Sequence, residues 1–153
     1  MEFVREITAH LENKPGRLAK ICSALAHEKV NIRALTVMDG DGPSVLRIVA
    51  DQVDAASKVL TSLGTEHTIA DRLSVSIDNR PGALAKLLEH LAEAHINIEY
   101  AYASTSSHGR SIAVFHTSNS KKAQSVLNEF YPEATTNGAE GDHSGGRRPL
   151  HSR

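Results

Sequence analysis

Apolar and polar residues alternate in two short stretches of the chain, residues 7–11 (ITAHL) and 73–77 (LSVSI). A period of two predicts a strand that buries one face. The buried positions are Ile7, Ala9, Leu11, Leu73, Val75 and Ile77. Beyond a Pro-Gly pair the period changes, and apolar residues recur every three or four positions, which predicts a helix with one buried side. The apolar positions of these helices are Leu18, Ile21, Cys22, Leu25 and Ala26, and Leu84, Leu87, Leu88, Leu91 and Ala92. A strand–loop–helix unit is therefore predicted twice.

The two units are copies of one sequence. Residues 11–32 return as residues 77–98, 66 positions later, with ten identities among 22 paired positions. The identical residues of the first copy are Asn13, Pro15, Gly16, Leu18, Ala19, Lys20, Leu25, Ala26, Asn31 and Ile32. A repeat of this length indicates two structural units in one chain.

A hairpin and a second helix are predicted after each repeated segment. The hairpin strands begin at Asn31-Ile32 and Asn97-Ile98 and turn at DGDGPS and TSSHG. The second helices place on one side Val53, Ala56, Leu60 and Leu63, and Ala123, Val126, Leu127 and Phe130. Short last strands are predicted at 66–70 and near 133–136. The order βαββαβ in each half predicts an α+β fold of two ferredoxin-like units in tandem, with antiparallel sheets and helices on one face.

The expected domains are residues 1–70 and 71–135, followed by a flexible tail at 136–153 that is poor in apolar residues. A unit of about 65 residues buries little of its surface alone, so we expect the two sheets to join edge to edge. The strand residues Val49, Phe115, Tyr100 and Tyr102 are assigned to the sheet face away from the helices. An apolar patch there predicts a homodimer.

The composition excludes several classes of function. The formal net charge is −1, which provides no basic field for nucleic acid or an anionic membrane. No apolar run approaches the roughly 20 residues of a spanning helix, and the first residues lack a signal-peptide pattern. We therefore expect a cytoplasmic protein that binds neither nucleic acid nor membrane.

Metal and covalent chemistry are not indicated by the sequence. The nine histidines do not show metal-ligand spacing. The one cysteine, Cys22, lies on the apolar side of the first helix, which favours a packed thiol. No nucleophile and base are placed together. We therefore expect no cofactor, no metal and no enzyme activity.

The Asn-x-Pro-Gly loops are the candidate chemistry. A helix that begins there exposes unpaired backbone N–H groups and the positive end of its dipole, which suits a carboxylate. Asn13 and Asn79 both donate and accept, as a zwitterionic amino acid requires. The alternative is turn chemistry alone, because Asn, Pro and Gly all favour turns. Asn31 and Asn97, at the starts of the hairpin strands, are either ligand contacts or helix caps.

The repeated segments NKPGRLAKICSALAHEKVNI and NRPGALAKLLEHLAEAHINI resemble the signature of ACT domains, small βαββαβ modules that bind amino acids and regulate metabolic enzymes. The resemblance covers roughly residues 3–135. It implies a ligand held between two such modules, by the loop before the first helix of one and the second strand of the other. Asn13 is then paired with Asn97, and Asn79 with Asn31.

The resemblance thus implies a non-catalytic regulatory protein whose ligand is an amino acid and whose partner is a metabolic enzyme. The implied ligand-binding residues are Asn13, Lys14, Pro15, Gly16, Arg17, Asn31, Ile32, Asn79, Arg80, Pro81, Gly82, Ala83, Asn97 and Ile98. The second copy is favoured as the better site because Glu99 and Tyr100 follow its strand asparagine. The alternatives are a structural or partner-binding module without a ligand, and a small ferredoxin-like enzyme.

Overall fold

The computed structural model describes residues 1–40, 42–105 and 110–131, which form one antiparallel sheet covered by helices. The elements in chain order are β1 (Glu2–Leu11), α1 (Arg17–His27), β2 (Ile32–Gly40), β3 (Gly42–Ala50), α2 (Val53–Ser62), β4 (His67–Asp78), α3 (Ala83–Glu93), β5 (Ile98–Thr105), β6 (Arg110–Thr117) and α4 (Ser120–Asn128). The last strand predicted near 133–136, the tail at 136–153 and the centres of both hairpin turns lie outside the described residues.

The two halves share a single six-stranded sheet in the order β2-β3-β1-β4-β6-β5. Its centre is the antiparallel pair of β1 and β4, so the predicted edge-to-edge junction is confirmed. The strand predicted at 66–70 and the strand predicted at 73–77 are one continuous element, β4. Its first residues pair with β1 and its last residues pair with β6, so that it serves both halves and crosses the boundary expected at 70/71.

A local twofold relationship organises the central strands. Arg5 of β1 lies opposite Asp71 of β4, and these two positions are one repeat length apart. The beginning of β4 is the fourth strand of the first half, beside β1. By the same symmetry the beginning of β1, including Phe3, lies beside Leu73 of β4 and takes the place of a fourth strand in the second half.

The core lies between the helices and one face of the sheet. It consists of two clusters, one under α1 and α2 and one under α3 and α4. All six strand positions predicted to be buried are buried. Several positions differ from the prediction. Ala26 of α1 and Leu84 and Ala92 of α3, expected on the buried sides of these helices, are exposed. Phe115 points into the core of the second half, Cys22 is only partly buried, and Phe130 lies beyond the end of α4 with 49% of its surface exposed.

The opposite face of the sheet is folded onto itself. Cα atoms of the two edge strands, β2 and β5, come within 8 Å of each other, so the sheet is strongly curled. A third apolar cluster fills the concave side and joins Val4, Val49 and Val114 with Ala34 and Tyr102. This face is therefore an interior surface of one chain rather than a flat, open surface.

Candidate functional site

The two Asn-x-Pro-Gly loops have the same backbone geometry. Gly16 and Gly82 directly precede α1 and α3, and both have a φ of 84°. A side chain is strained at such a φ, although a Cβ there would meet no other atom within 4 Å. The glycines are therefore required by backbone conformation and not by close packing.

The helices after these loops begin without a side-chain cap. In α4, by contrast, the Asn119 side chain accepts a hydrogen bond of 2.9 Å from the N–H of Lys122. First-turn N–H groups have no partner inside a helix and lie at the positive end of its dipole. The N–H groups of Arg17 and Ala83 donate to the carbonyls of Lys14 and Arg80 at 3.3 and 3.2 Å, so the backbone donors left for a carboxylate are those of the adjacent glycine and of the next helical residues.

Charged side chains surround the loops unequally. Lys14 pairs with Glu12 at 3.0 Å, and this hydrogen bond and charge hold the pKa of Glu12 below its ordinary value. In the second loop, Arg80 approaches Asp78 at 3.5 Å. The Nε atom of Arg17 is buried and has no hydrogen-bond partner among the described residues, and Ala83 occupies the equivalent position. The first loop therefore has a cationic donor that the second lacks.

The strand asparagines do not cap the helices. The left-handed residues after α1 and α3 are Lys29 and His95, with φ of 58° and 55°. The next residue in each case, Val30 or Ile96, donates its N–H back into the last helical turn at 2.9 Å. These bonds form the Schellman arrangement, in which the left-handed residue itself completes the helix end.

Instead, each strand asparagine fastens the start of its strand through its backbone. The Asn31 N–H donates to the Asp51 side chain at 2.9 Å, and the Asn97 N–H donates to the Ser118 hydroxyl at 3.1 Å. Both residues are exposed. Their amide groups thus stand at the surface without a structural role among the described residues.

The strand asparagines lie far from the loops within one chain. The pairing registers put Ile32 and Ile98 level with the central pair Arg5–Asp71. Leu11, which precedes the first loop, is six residues further along β1, or about 20 Å at 3.3 Å per residue. One chain therefore does not bring Asn13 next to Asn97. The implied pairing of the two fails within a chain because each loop lies at an outer end of the sheet.

The concave face holds a polar cluster that the sequence did not predict. The side chain of Glu6 is completely buried. It accepts hydrogen bonds from the hydroxyls of Tyr100 at 2.5 Å and Tyr102 at 2.7 Å. The Arg72 Nε lies 3.2 Å from the same carboxylate, and the Arg47 guanidinium stacks 3.9 Å above the Tyr100 ring. Residues from both halves thus meet at one carboxylate.

This cluster has two consequences for the expectations above. Tyr100 is bound to Glu6 and Arg72, and Glu99 lies 3.5 Å from His116, so neither is a free polar group beside Asn97. The polar groups that favoured the second copy are therefore engaged elsewhere. Burial, and then the hydrogen bond to Glu6, raises the pKa of Tyr102 above its ordinary value. In the sequence, this cluster is marked only by a single Glu in a strand of alternating polarity. Such a local pattern does not show which distant residues contact the Glu6 carboxylate.

Several cavities in the described part of the chain lie outside the loops. One, of about 720 Å³, is lined by His10, Thr61, Gly64, Thr65, Glu66, His67 and Thr68. Another, of about 550 Å³, is lined by Phe3, Asp71, Ser120, Lys121, Gln124 and Ser125. In the described part of the chain, no three His, Cys, Asp or Glu side chains gather around a point that would hold a metal ion. No helix in that part is long and apolar enough to cross a membrane.

The two halves define a pair of ferredoxin-like modules, each with an Asn-x-Pro-Gly loop at the start of its first helix. The sequence pattern of the family described as ACT domain pair matches residues 2–131. The chain therefore belongs to the ACT domain pair family. Membership of this family supports a regulatory, ligand-binding role.

Solved structures of similar proteins share this fold. Protein BT0572 from Bacteroides thetaiotaomicron is 33% identical over 84% of this chain and 88% of its own, with a TM-score of 0.78. The regulatory subunit of aspartate kinase from Thermus thermophilus, in a ligand-free form, is 18% identical over 84% of this chain and 91% of its own, with a TM-score of 0.59. No curated protein matches the chain.

Proposed function

We propose that the protein is a non-catalytic regulator that binds an amino acid at its Asn-x-Pro-Gly loops. The observation that carries this proposal is a pair of loops with the same backbone geometry, each leading through a left-handed glycine into a helix without a side-chain cap. The ligand carboxylate accepts hydrogen bonds from N–H groups of the first helical turn. Pro15 and Pro81 have no N–H, and the N–H groups of the residues before them donate to loop carbonyls, so the donors come from Gly16 and Gly82 and from the helical residues that follow.

The loop side chains select a zwitterion. Asn13 and Asn79 are exposed beside the helix starts, and their amides can bind both the ammonium and the carboxylate. Arg17 adds a guanidinium whose Nε is unpartnered in the first loop. The positive charge of Arg17, which has no counterpart at Ala83 in the second loop, makes the first loop the stronger carboxylate site because hydrogen bonds between charged groups are stronger than neutral ones.

The second contact to the ligand comes from another copy of the chain. Because a loop and a strand asparagine are about 20 Å apart along the sheet, a ligand that touches both bridges two chains. The edge strand β2 exposes the apolar residues Leu35, Val37 and Met38, whose exposed fractions are 37%, 42% and 50%. An exposed apolar edge strand favours pairing with a second chain. We thus retain a homodimer, formed through β2 rather than through the concave face.

The output of this regulator passes through a metabolic enzyme in the cytoplasm. Ligand binding changes the affinity of the protein for that partner by a coupling free energy between the two sites. Family membership supports this role, and the ligand-free aspartate kinase regulatory subunit is a protein of the same fold whose name states regulation of an enzyme.

A thermal-shift screen against the twenty amino acids tests the proposed ligand class. A ligand at 100 times its Kd stabilises the folded state by about 2.7 kcal/mol. Asn13→Ala and Asn79→Ala are expected to weaken binding and to leave the melting temperature of the free protein unchanged. Ser23→Ala, on the exposed side of α1, is the matched control. If no amino acid raises the melting temperature, the chain is instead a structural or partner-binding module.

Sedimentation tests the homodimer. Val37→Lys places a charge on the exposed part of β2 and is expected to give a 16.5 kDa monomer. Leu84→Lys, on α3, is the control because its side chain is 40% exposed but distant in sequence from the edge strand. A monomeric wild-type protein with and without the ligand would contradict the β2 dimer.

A further inference from the structure

The helix side of the sheet contains a cleft at the local twofold. Its floor is formed by Phe3 and Asp71, and its wall is the first half of α4, including Lys121. The volume of about 550 Å³ lies within the range of small-molecule sites, about 300 to 1,000 Å³. This cleft is on the opposite face of the sheet from the Glu6 cluster and is not part of either loop.

In the equivalent place of the first half, the two corresponding charges are paired. Arg5 and Asp54 are the repeat equivalents of Asp71 and Lys121, with the two charges exchanged. The Arg5 guanidinium and the Asp54 carboxylate form an ion pair at 3.0 Å. Ile69, the equivalent of Phe3, packs against the core of its half.

The second half leaves the same charges apart. Neither Asp71 nor Lys121 has an ion-pair partner for its side chain among the described residues, so their charged atoms are more than 4.0 Å from each other. Phe3 of β1, opposite Leu73 of β4, lines the cleft with 40% of its surface exposed. A carboxylate, an ammonium and an exposed aromatic ring thus face one cavity.

We propose that this cleft binds a small zwitterion with an apolar side chain. The ligand ammonium pairs with the Asp71 carboxylate, the ligand carboxylate pairs with the Lys121 ammonium, and the apolar group covers the Phe3 ring. The hydroxyls of Ser120 and Ser125 and the Gln124 amide supply further hydrogen bonds along α4. The bound zwitterion thereby places a positive charge beside Asp71 and a negative charge beside Lys121. In the first half, the Arg5–Asp54 ion pair neutralises the corresponding charges within the protein.

The test follows backbone amide NMR signals of the full chain during titration with L-phenylalanine. Signals of Phe3, Asp71 and residues 120–125 are expected to shift together. Two analogues separate the charges: phenethylamine lacks the carboxylate, and 3-phenylpropionate lacks the ammonium. Asp71→Asn is expected to weaken phenylalanine and phenethylamine about tenfold and to leave phenylpropionate unchanged. Lys121→Gln is expected to show the reverse selectivity.

Two variants use the internal symmetry as a control. Asp71→Arg combined with Lys121→Asp copies the ion pair of the first half, so it is expected to engage both charges and abolish the shifts. Asp54→Asn, in the first half, is expected to change nothing. The melting temperature of each variant establishes that it is folded, and the analogue pair tests the wild-type chain directly.

Binding of phenylalanine in the cleft can be distinguished from binding of a ligand at the loops. Gly16→Val combined with Gly82→Val is expected to leave the shifts in the cleft intact. Shifts confined to residues 13–17 and 79–83 would support the loop proposal and overturn this one. The proposal would also be overturned if the signals of residues 120–125 do not shift up to the solubility limit of phenylalanine. It would likewise be overturned if Asp54→Asn weakens binding as much as Asp71→Asn does.

Discussion

The hydroxyl of Tyr102 donates a hydrogen bond of 2.7 Å to the carboxylate of Glu6, a residue 96 positions earlier in the other half of the chain. Because Tyr100 and Arg72 bind the same carboxylate, one buried charge connects β1, β4 and β5. The curl of the sheet and this bond depend on each other. Without the curl, the tyrosines of β5 would not reach across β6 and β4 to β1.

Glu6→Ala is expected to destabilise the whole fold. It leaves the Arg72 guanidinium and two tyrosine hydroxyls without their buried partner, and loss of one member of a buried pair costs about 3 to 5 kcal/mol. Urea unfolding measures the effect. Glu2→Ala is the control, because Glu2 lies on the same strand as Glu6 but its 2.8 Å ion pair with Arg33 of β2 is exposed and is expected to contribute at most about 1 kcal/mol. Equal losses in the two variants would contradict the role given to the buried cluster.

The tyrosines are expected to make stability sensitive to alkaline pH. Burial, and then the hydrogen bond to Glu6, raises the pKa of Tyr100 and of Tyr102 above the ordinary value of 10.0. The folded state thus keeps these protons at pH values where the unfolded chain releases them. This stabilisation is complete below pH 10.0 and declines as the pH rises beyond it.

The measurement is the free energy of unfolding of the wild type and of Tyr102→Phe between pH 8 and pH 11.5. The wild type is expected to lose more stability above about pH 10 than the variant. Tyr131→Phe is a second comparison, since burial also raises the pKa of Tyr131 but no bond to Glu6 contributes there. Parallel pH profiles for the wild type and Tyr102→Phe would contradict the prediction.

The loop glycines are expected to be sensitive through backbone conformation alone. Gly16→Ala and Gly82→Ala place a Cβ in open space but at a φ of 84°, which costs roughly 1 to 2 kcal/mol. Gly42→Ala, where a Cβ also meets open space and no positive φ occurs, is expected to be nearly neutral. Thermal melting distinguishes these cases. A neutral Gly16→Ala would show that the loop adopts another conformation.

The helix ends give a prediction of opposite sign. His95 occupies the left-handed position after α3, so His95→Gly removes strain and is expected to stabilise the protein by about 0.5 to 1 kcal/mol. Asn97→Ala is expected to change stability little, because its backbone makes the structural hydrogen bond. If Asn97→Ala lowers the melting temperature as much as loss of a helix cap does, about 1 kcal/mol, the assignment of the cap to His95 is wrong.

The sequence was sufficient for the elements and their order because the periodicity and the repeat are local signals. The alternation in residues 7–11 and 73–77 predicted the buried strand faces, and the Pro-Gly pairs predicted the helix starts. The hairpin alternation was ambiguous about which face meets the helices. Phe115 was therefore assigned to the wrong face, since a shift of one residue exchanges the two faces of a strand.

The arrangement of the candidate site depended on sheet register, which the repeat does not contain. Equivalent residues are known from the repeat, but the distance between Asn13 and Asn97 depends on how β1 pairs with β4. The Glu6 cluster depended on the curl of the sheet, which brings together residues on strands that are not neighbours. The cap at Lys29 and His95 was missed because neither residue type favours a left-handed conformation as strongly as Gly or Asn.

The continuity of β4 restricts how the protein can transmit a signal. Two domains on a linker can swing about a hinge, but here a twelve-residue strand belongs to both halves and leaves no linker between them. The strand is an element shared by both halves, so one half cannot rotate away from the other without breaking the hydrogen bonds that connect β4 to β1 and β6. Ligand-induced changes are therefore expected as torsion along the shared sheet, with the largest displacements at its outer ends, where the loops lie.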